Sequence, residues 1–201
     1  MARHFATVYD YIMNPFETLI VGRMRRQLLK QAKGEVLEIG SGTGINFPLY
    51  DPNAVASITA IEPNPFMIEK SKDRIKQDRV TIPISILQAK AERLPFKDNS
   101  FDCAVITLVL CSVIDAEQVL REIQRVCKPG GNILFVEHVQ PANPILRVIA
   151  KMATPLWKRI CDGCHLNRET VKSIQENGLD ISEFSQHAMG IFVRLTGVNR
   201  K

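Results

Sequence analysis

The chain has no apolar run approaching the roughly 18 residues that a membrane span needs. Its longest, Cys103 to Val113, reads as a buried strand. There is no signal-peptide core in Met1-Ala-Arg-His-Phe-Ala, so a cytoplasmic protein is expected. Repeats and low-complexity tracts are absent, which sets aside solenoids and linkers. Five cysteines are present, yet no second close pair joins Cys161-Asp-Gly-Cys164 to complete a four-ligand zinc site. No metal is expected, and thiols in the cytosol stay reduced. The dinucleotide fingerprint G-x-G-x-x-G is also missing, because its third glycine position holds Ile45.

What is present fits one globular domain. The 201 residues are 45% apolar and 23% charged, and suffice for a substantial core. The net charge is +5, with the excess in two stretches. Arg3, Arg23, Arg25, Arg26, Lys30 and Lys33 face only Asp10 and Glu17; Arg147, Lys151, Lys158, Arg159, Arg168 and Lys172 face only Asp162 and Glu169. Such stretches attract anionic surfaces or lie on solvated helix faces.

The motif with most chemistry is Val36-Leu-Glu-Ile-Gly-Ser-Gly-Thr-Gly44, an apolar strand running into alternating glycines behind Glu38. Without Cβ atoms, Gly40, Gly42 and Gly44 let backbone turn sharply and lie against a ligand. A second strand-like run ends at Glu62, where a carboxylate can accept hydrogen bonds from ribose hydroxyls. Strand-like runs at Val36–Ile39, Ser57–Ile61, Ile82–Gln88, Cys103–Leu110 and Asn132–Glu137 alternate with helix-like segments near Glu17–Lys33, Pro65–Gln77 and Ala116–Cys127. That alternation predicts an α/β, doubly wound, mostly parallel sheet. Lys128-Pro-Gly-Gly131 is expected to stop the third helix and reverse the chain. Ile181–Ala188 and Ile191–Thr196, separated by Met189-Gly190, predict an antiparallel C-terminal hairpin.

The pattern Glu38-x-Gly40-x-Gly42-x-Gly44 resembles the S-adenosylmethionine loop of class I methyltransferases. Ala91-Glu92-Arg93-Leu94-Pro95-Phe96 with Ser100-Phe101-Asp102 is similar to the adenine-side loop and fourth strand of the ubiquinone/menaquinone-type methyltransferases, and Val126 to Gly131 resembles the loop before their fifth strand. Where many of those carry an acid for the adenine amino group this chain has Lys90, which passes that contact to backbone or to Glu92. A narrower resemblance, to the methyltransferase-like 7 family, rests on Thr107–Val113, Glu137-His138-Val139, Trp157-Lys158, Asp162-Gly-Cys164, Leu166–Thr170 and His187-x-Met189-Gly190. Its members are membrane-bound alkyl thiol S-methyltransferases with an N-terminal hydrophobic anchor that is missing here. Val8-Tyr9-Asp10 and Asn46 to Tyr50 look instead like bacterial quinone and phospholipid methyltransferases.

The resemblance implies a seven-stranded Rossmann-like sheet as a single domain, with residues 1–34 an N-terminal helical lid, 35–139 the cofactor-binding core, 140–177 a helical insertion and 178–201 the terminal hairpin. It implies S-adenosyl-L-methionine as cofactor and S-adenosyl-L-homocysteine as product. The expected cofactor contacts are Glu38, Gly40, Ser41, Gly42, Thr43, Gly44, Asn46, Glu62, Pro63, Ala91, Glu92 and Thr107. Tyr9, Cys111, Trp157 and His187 are expected in the substrate pocket, and His138 and Glu137, at the end of the fifth strand, are candidate proton acceptors. Asp162 and His187 are further candidates for that role. No Asn-Pro-Pro-Tyr follows the fourth strand; Leu108-Val-Leu-Cys-Ser112 stands there and favours a small apolar or lipid-like acceptor. Ile145, Leu146, Ile149, Met152 and Trp157 form an apolar helix face that can pack on the domain or rest peripherally on an anionic membrane. Thiol methylation leads, quinone or phospholipid methylation follows, and nucleic acid is not the expected partner. A nicotinamide oxidoreductase is opposed by Ile45 and the hairpin; a non-catalytic membrane- or RNA-binding module is the non-enzymatic alternative.

Overall fold

The computed structural model describes residues 17–161 and 163–201. A π-turn at Glu17–Val21 leads into α1 (Gly22–Leu29). Then come β1 (Gly34–Ile39), β2 (Val55–Ile61), α2 (Pro65–Gln77), β3 (Ile84–Leu87), β4 (Phe101–Thr107), α3 (Ala116–Val126) and β5 (Cys127–His138). The chain closes with α4 (Pro144–Ile160), α5 (Thr170–Glu176), β6 (Asp180–His187) and β7 (Phe192–Val198). The strands make one seven-stranded sheet in the order β3-β2-β1-β4-β5-β7-β6. Pairing is parallel from β3 to β5, and β7 enters antiparallel to both β5 and β6.

Burial on both faces explains the near-continuous apolar strands. Successive residues divide between two cores. Leu37 and Ile39 of β1, Ala104 and Ile106 of β4, and Ile133 and Phe135 of β5 face one side, with Val119, Leu120 and Ile123 of α3 and Ile174 of α5. Val36, Cys103, Val105, Leu134 and Val136 face the other, with Met24, Leu28 and Leu29 of α1. The helices start where the sequence provides caps. Asn64 accepts from the Phe66 amide (3.0 Å) ahead of α2, Asp115 from Gln118 (2.9 Å) ahead of α3, and Asn143 from Ile145 (2.9 Å) ahead of α4. Pro65 and Pro144 occupy first-turn positions, where a missing N–H costs nothing.

Two sequence-based expectations shift. β4 ends at Thr107 rather than Leu110, because Leu108 turns into the left-handed region (φ 59°). Lys128-Pro-Gly-Gly131 does not reverse the chain. Cys127 already pairs with Phe101, and the next ladder pair is Cys103 with Asn132, so these residues bulge within β5. Gly131 passes so near Asp102 and Lys128 that a Cβ would lie 2.9 Å from both carbonyl oxygens. The β1/β4 neighbours run to opposite halves of the sheet, and ligands of open α/β sheets bind in the crevice at that switch point. Among the described residues no helix is long and apolar enough to cross a membrane.

Candidate functional site

A cavity of about 610 Å³ opens at the carboxyl ends of β1, β2, β4 and β5, beneath α4. One end is built from the glycine loop. Gly40 and Gly42, both with positive φ, line it beside Glu62 and Pro63. Glu62 is held rigidly: Oε2 accepts from the Gly42 amide at 3.0 Å and Oε1 from the Asn64 amide at 2.9 Å. A Cβ on Gly42 would meet nothing within 4 Å, so bare backbone borders open space there. Ala89, Lys90, Ala91 and Glu92 form the neighbouring wall, and Glu92 is pinned by the Ile114 amide (3.1 Å).

The other expected cofactor contacts lie behind this wall. Glu38 is 1% exposed; Tyr50 donates to its Oε2 at 2.7 Å and Asn46 to its Oε1 at 3.0 Å. Burial raises its carboxyl to about 7, against these hydrogen bonds and the nearby Arg25 charge. Arg25 belongs to this network rather than to a basic surface. It is 3% exposed, pairs with Glu17 at 2.8 Å and donates to Asn46 (3.0 Å) and Thr107 (2.5 Å). Thr107 thus joins the network to the cavity it lines. Ser41, Thr43, Gly44 and Asn46 do not line the cavity; Arg74 of α2 donates to the Thr43 carbonyl (2.9 Å) and moors the loop from outside. These residues shape the loop, and Glu38 meets its partners within the protein.

The far end of the cavity is apolar. Leu108, Val109 and Val113 follow β4, Leu146, Ile149 and Trp157 descend from α4, and Ile191 and Phe192 arrive from the hairpin. Its polar groups include His138, Cys111, Ser112, Cys161 and Cys164. His138 stacks edge-on against Phe192 with ring centroids 5.6 Å apart, and among the described residues nothing hydrogen-bonds its Nδ1. Burial lowers this ring to about 4, leaving it neutral at physiological pH.

Two expectations need correction. Glu137 is fully buried and turned away from the cavity: its Oε1 accepts from the Val109 (2.9 Å) and Leu110 (3.0 Å) amides, so it braces the wall instead of facing an acceptor. His187 does not line the cavity, because it ends β6 beside Ser185 (3.3 Å), and the turn beyond it sends Ala188, Ile191 and Phe192 inward. Cys161 and Cys164, for which no site role was expected, both line the cavity. Tyr9 and Asp162 lie outside the described residues. Phe192 and Ile191 were invisible as site residues because hairpin register, not composition, aims them. Leu146, Ile149 and Trp157 had a signal, their helical spacing.

The cavity is thus two-ended, with a carboxylate and bare backbone at one end and apolar side chains at the other. Residues 37–135 match the methyltransferase domain family. Over 183 residues the chain is 36% identical to the rat (Rattus norvegicus) thiol S-methyltransferase TMT1B, covering 85% of this chain and 74% of that one. It is 31% identical to the ubiquinone/menaquinone biosynthesis C-methyltransferase UbiE of Hahella chejuensis, covering 97% and 91%. A solved SAM-dependent methyltransferase from Thermotoga maritima shares the fold, with a TM-score of 0.68, 24% identity and full coverage of both chains.

Proposed function

Since the chain belongs to the S-adenosylmethionine-dependent methyltransferase family, we propose that it methylates a small apolar thiol. The observation that carries this reading is the two-ended cavity, polar at Gly40, Gly42 and Glu62 and apolar beyond Leu108. S-adenosylmethionine supplies a methyl group on a sulfonium centre. The bare Gly42 backbone and the fixed Glu62 carboxylate fit its amino-acid and ribose parts, as ordinary side chains at the loop would not.

For methyl transfer the protein must align the acceptor and keep water out. Leu108, Val109, Leu146, Ile149 and Phe192 exclude water around an apolar acceptor. His138, a neutral ring that lines the cavity and is held edge-on against Phe192, shapes the wall against which the acceptor sulfur is placed. Its low basicity makes it an aligning group more than a proton carrier.

Glu62→Ala should weaken binding of S-adenosylhomocysteine by about 1–3 kcal/mol, the scale for lost hydrogen bonds to a charged group. Calorimetric titration measures it; an unchanged affinity would remove Glu62 from the site. The acceptor is tested with a panel of alkyl thiols, quinols and phosphatidylethanolamine, with product masses read. Methylated thiols support the proposal. A product methylated on a quinol ring carbon would assign the second reading, which the similarity to UbiE favours.

The outer face of α4 also suggests where an apolar acceptor comes from. Ile145, Met152 and Leu156 of α4 are 70%, 78% and 64% exposed, between Arg147, Lys151, Lys158 and Arg159 and with no acid on the helix. Such a face suits an anionic membrane surface. Salt-sensitive pelleting with phosphatidylglycerol vesicles is expected, and its absence would leave the acceptor to arrive through water.

A further inference from the structure

The pair Cys161-x-x-Cys164 is not used as its spacing suggests. Among the described residues no group of three His, Cys, Asp or Glu is placed to hold a metal ion. The chain instead folds the segment after α4 back onto the turn that follows β4. The His165 amide donates to the Cys111 carbonyl at 2.8 Å, with His165 Nδ1 3.2 Å from the same oxygen. Gly163, at φ 88°, makes the bend, and its amide donates to the Lys158 carbonyl at 2.9 Å. The outcome is that Cys164 is brought beside Cys111 on one wall of the cavity, although they are far apart in sequence, with Cys111 Sγ 3.5 Å from Ser112 Oγ. Both face the cavity.

We propose that Cys164 and Cys111 form a thiol–disulfide exchange site inside the acceptor cavity, one that takes small apolar disulfides. The two sulfurs are not equivalent. The neighbouring Cys111 thiol, then Trp157, Ser112 and the Arg168 cation, favour the Cys164 thiolate against the opposing effect of burial. Arg168 is fixed there, donating to the carbonyls of Leu110 and Val113 (2.8 Å for the latter). Cys111 is 2% exposed, and the neighbouring Cys164 and burial push its thiol up. Cys164 is therefore the attacking sulfur and Cys111 the resolving one. Cys161 lines the same cavity, but burial pushes its thiol up to about 11.

The exchange balances without a further reagent. The Cys164 thiolate attacks one sulfur of R–S–S–R, a Cys164–S–S–R bond forms, and RS⁻ leaves and takes up a proton. Cys111 then gives up its proton and attacks the Cys164 sulfur. The Cys111–Cys164 bond forms and a second RS⁻ leaves and is protonated. Two cysteines are oxidised, one disulfide is reduced to two thiols, and an external dithiol resets the pair. The apolar cavity selects apolar R groups, so the disulfides in question are the oxidised form of the acceptor class proposed above. The closed pair ties the segment after α4 to the wall after β4, across the site where the acceptor must lie.

The site rests on the proposed function only for its effect on methyl transfer, and the first arm of its test is independent of that function. Reduced full-length protein is mixed with 2,2′-dithiodipyridine, and thiopyridone release is followed by absorbance. Cys103 and Cys127 are fully buried and stay silent in the folded protein. A fast phase of two equivalents is expected, with a Cys111–Cys164 disulfide in the peptide map. Cys111→Ser should halve that phase and leave a stable adduct on Cys164. Cys164→Ser should abolish the phase, and Cys161→Ser should leave it intact, in variants whose melting curves match the native one. A fast phase that survives Cys164→Ser, or a native map showing Cys161–Cys164, would overturn the assignment. Should Cys111→Ser fail to fold, the native map decides alone. In the second arm, the disulfide form should lose methyl transfer at least about tenfold and regain it with dithiothreitol. Exchange without methylation of any thiol would uphold the site and sink the acceptor reading.

Discussion

Glu137→Ala is expected to cost about 2–6 kcal/mol, from two buried amides losing their acceptor at roughly 1–3 kcal/mol each. Glu137 is the fully buried carboxylate whose Oε1 serves both Val109 and Leu110. Those amides follow Leu108, which is held at φ 59°, a left-handed conformation costly for a bulky residue. Without the carboxylate the Leu108 amide's bond to the Val136 carbonyl (2.8 Å) remains, but the two amides that follow the strained residue lose their acceptor. The damage should spread, because Val109 packs where a Cβ on Gly40 would lie, 2.6 Å from Cγ2, so the wall and the glycine loop share a contact. Against a total stability of about 5–15 kcal/mol this is a large fraction. Chemical denaturation measures it, and a midpoint equal to the native one would refute the brace.

Glu137→Gln keeps the accepting oxygen and removes the titration, which separates geometry from charge. Burial raises the Glu137 carboxyl from 4.5 to about 8, the amide hydrogen bonds opposing. Between those values the native state holds a proton that the unfolded state has released. The contribution is therefore fully present below pH 4.5 and is lost as pH rises through 8. Glu38, raised to about 7, acts in the same direction up to that pH. His138, lowered from 6.5 to about 4, works the other way, its native state binding fewer protons in that window. Subtracting the stability curve of the Glu137→Gln variant from the native curve isolates Glu137. Relative to that variant the native protein should lose about 2 kcal/mol between roughly pH 5.5 and 7.5, at about 1.4 kcal/mol per unit of proton difference. A flat difference would mean that Glu137 is already ionised in the folded protein.

The glycine-loop end of the cavity was legible because its determinants are local. Gly40, Gly42 and the strand-end Glu62 act through backbone geometry within a single βα unit, and spacing along the chain is the same thing as placement in space. Alternation of apolar runs with capped helices likewise carried the sheet, since both faces must be buried. The rest depends on contacts between distant segments. Nothing near Cys164 names Cys111 as its neighbour, and nothing near Phe192 says that β7 pairs with β5 so as to deliver that ring to His138. Glu137 and Glu38 misled for one shared reason. A carboxylate next to a ligand site reads as functional, and only burial and hydrogen-bond geometry show that each is spent inside the protein, on backbone amides in one case and on Tyr50 and Asn46 in the other.

Two neighbouring glycines should respond in opposite ways to the same substitution. At Gly44 a methyl group would lie 2.6 and 2.7 Å from the ring carbons of the fully buried Phe47 and 3.1 Å from Ser71, at φ 75°. Left-handed strain of about 1–2 kcal/mol then adds to an overpacking cost of about 1–3 kcal/mol. Gly44→Ala should therefore lose about 2–5 kcal/mol of stability before any ligand is present. At Gly42, with φ 55°, the methyl meets no protein atom within 4 Å, so only the strain of about 1–2 kcal/mol applies. That methyl enters the cavity beside Glu62, where the cofactor is proposed to lie. Gly42→Ala should stay folded and bind S-adenosylhomocysteine at least about tenfold more weakly, a loss of roughly 1.4 kcal/mol or more. Denaturation curves and calorimetric titrations of the two variants read the contrast directly. A Gly42→Ala protein with native affinity would mean that the loop backbone does not touch the ligand, and the proposed placement of the cofactor at the β1 loop would fail with it.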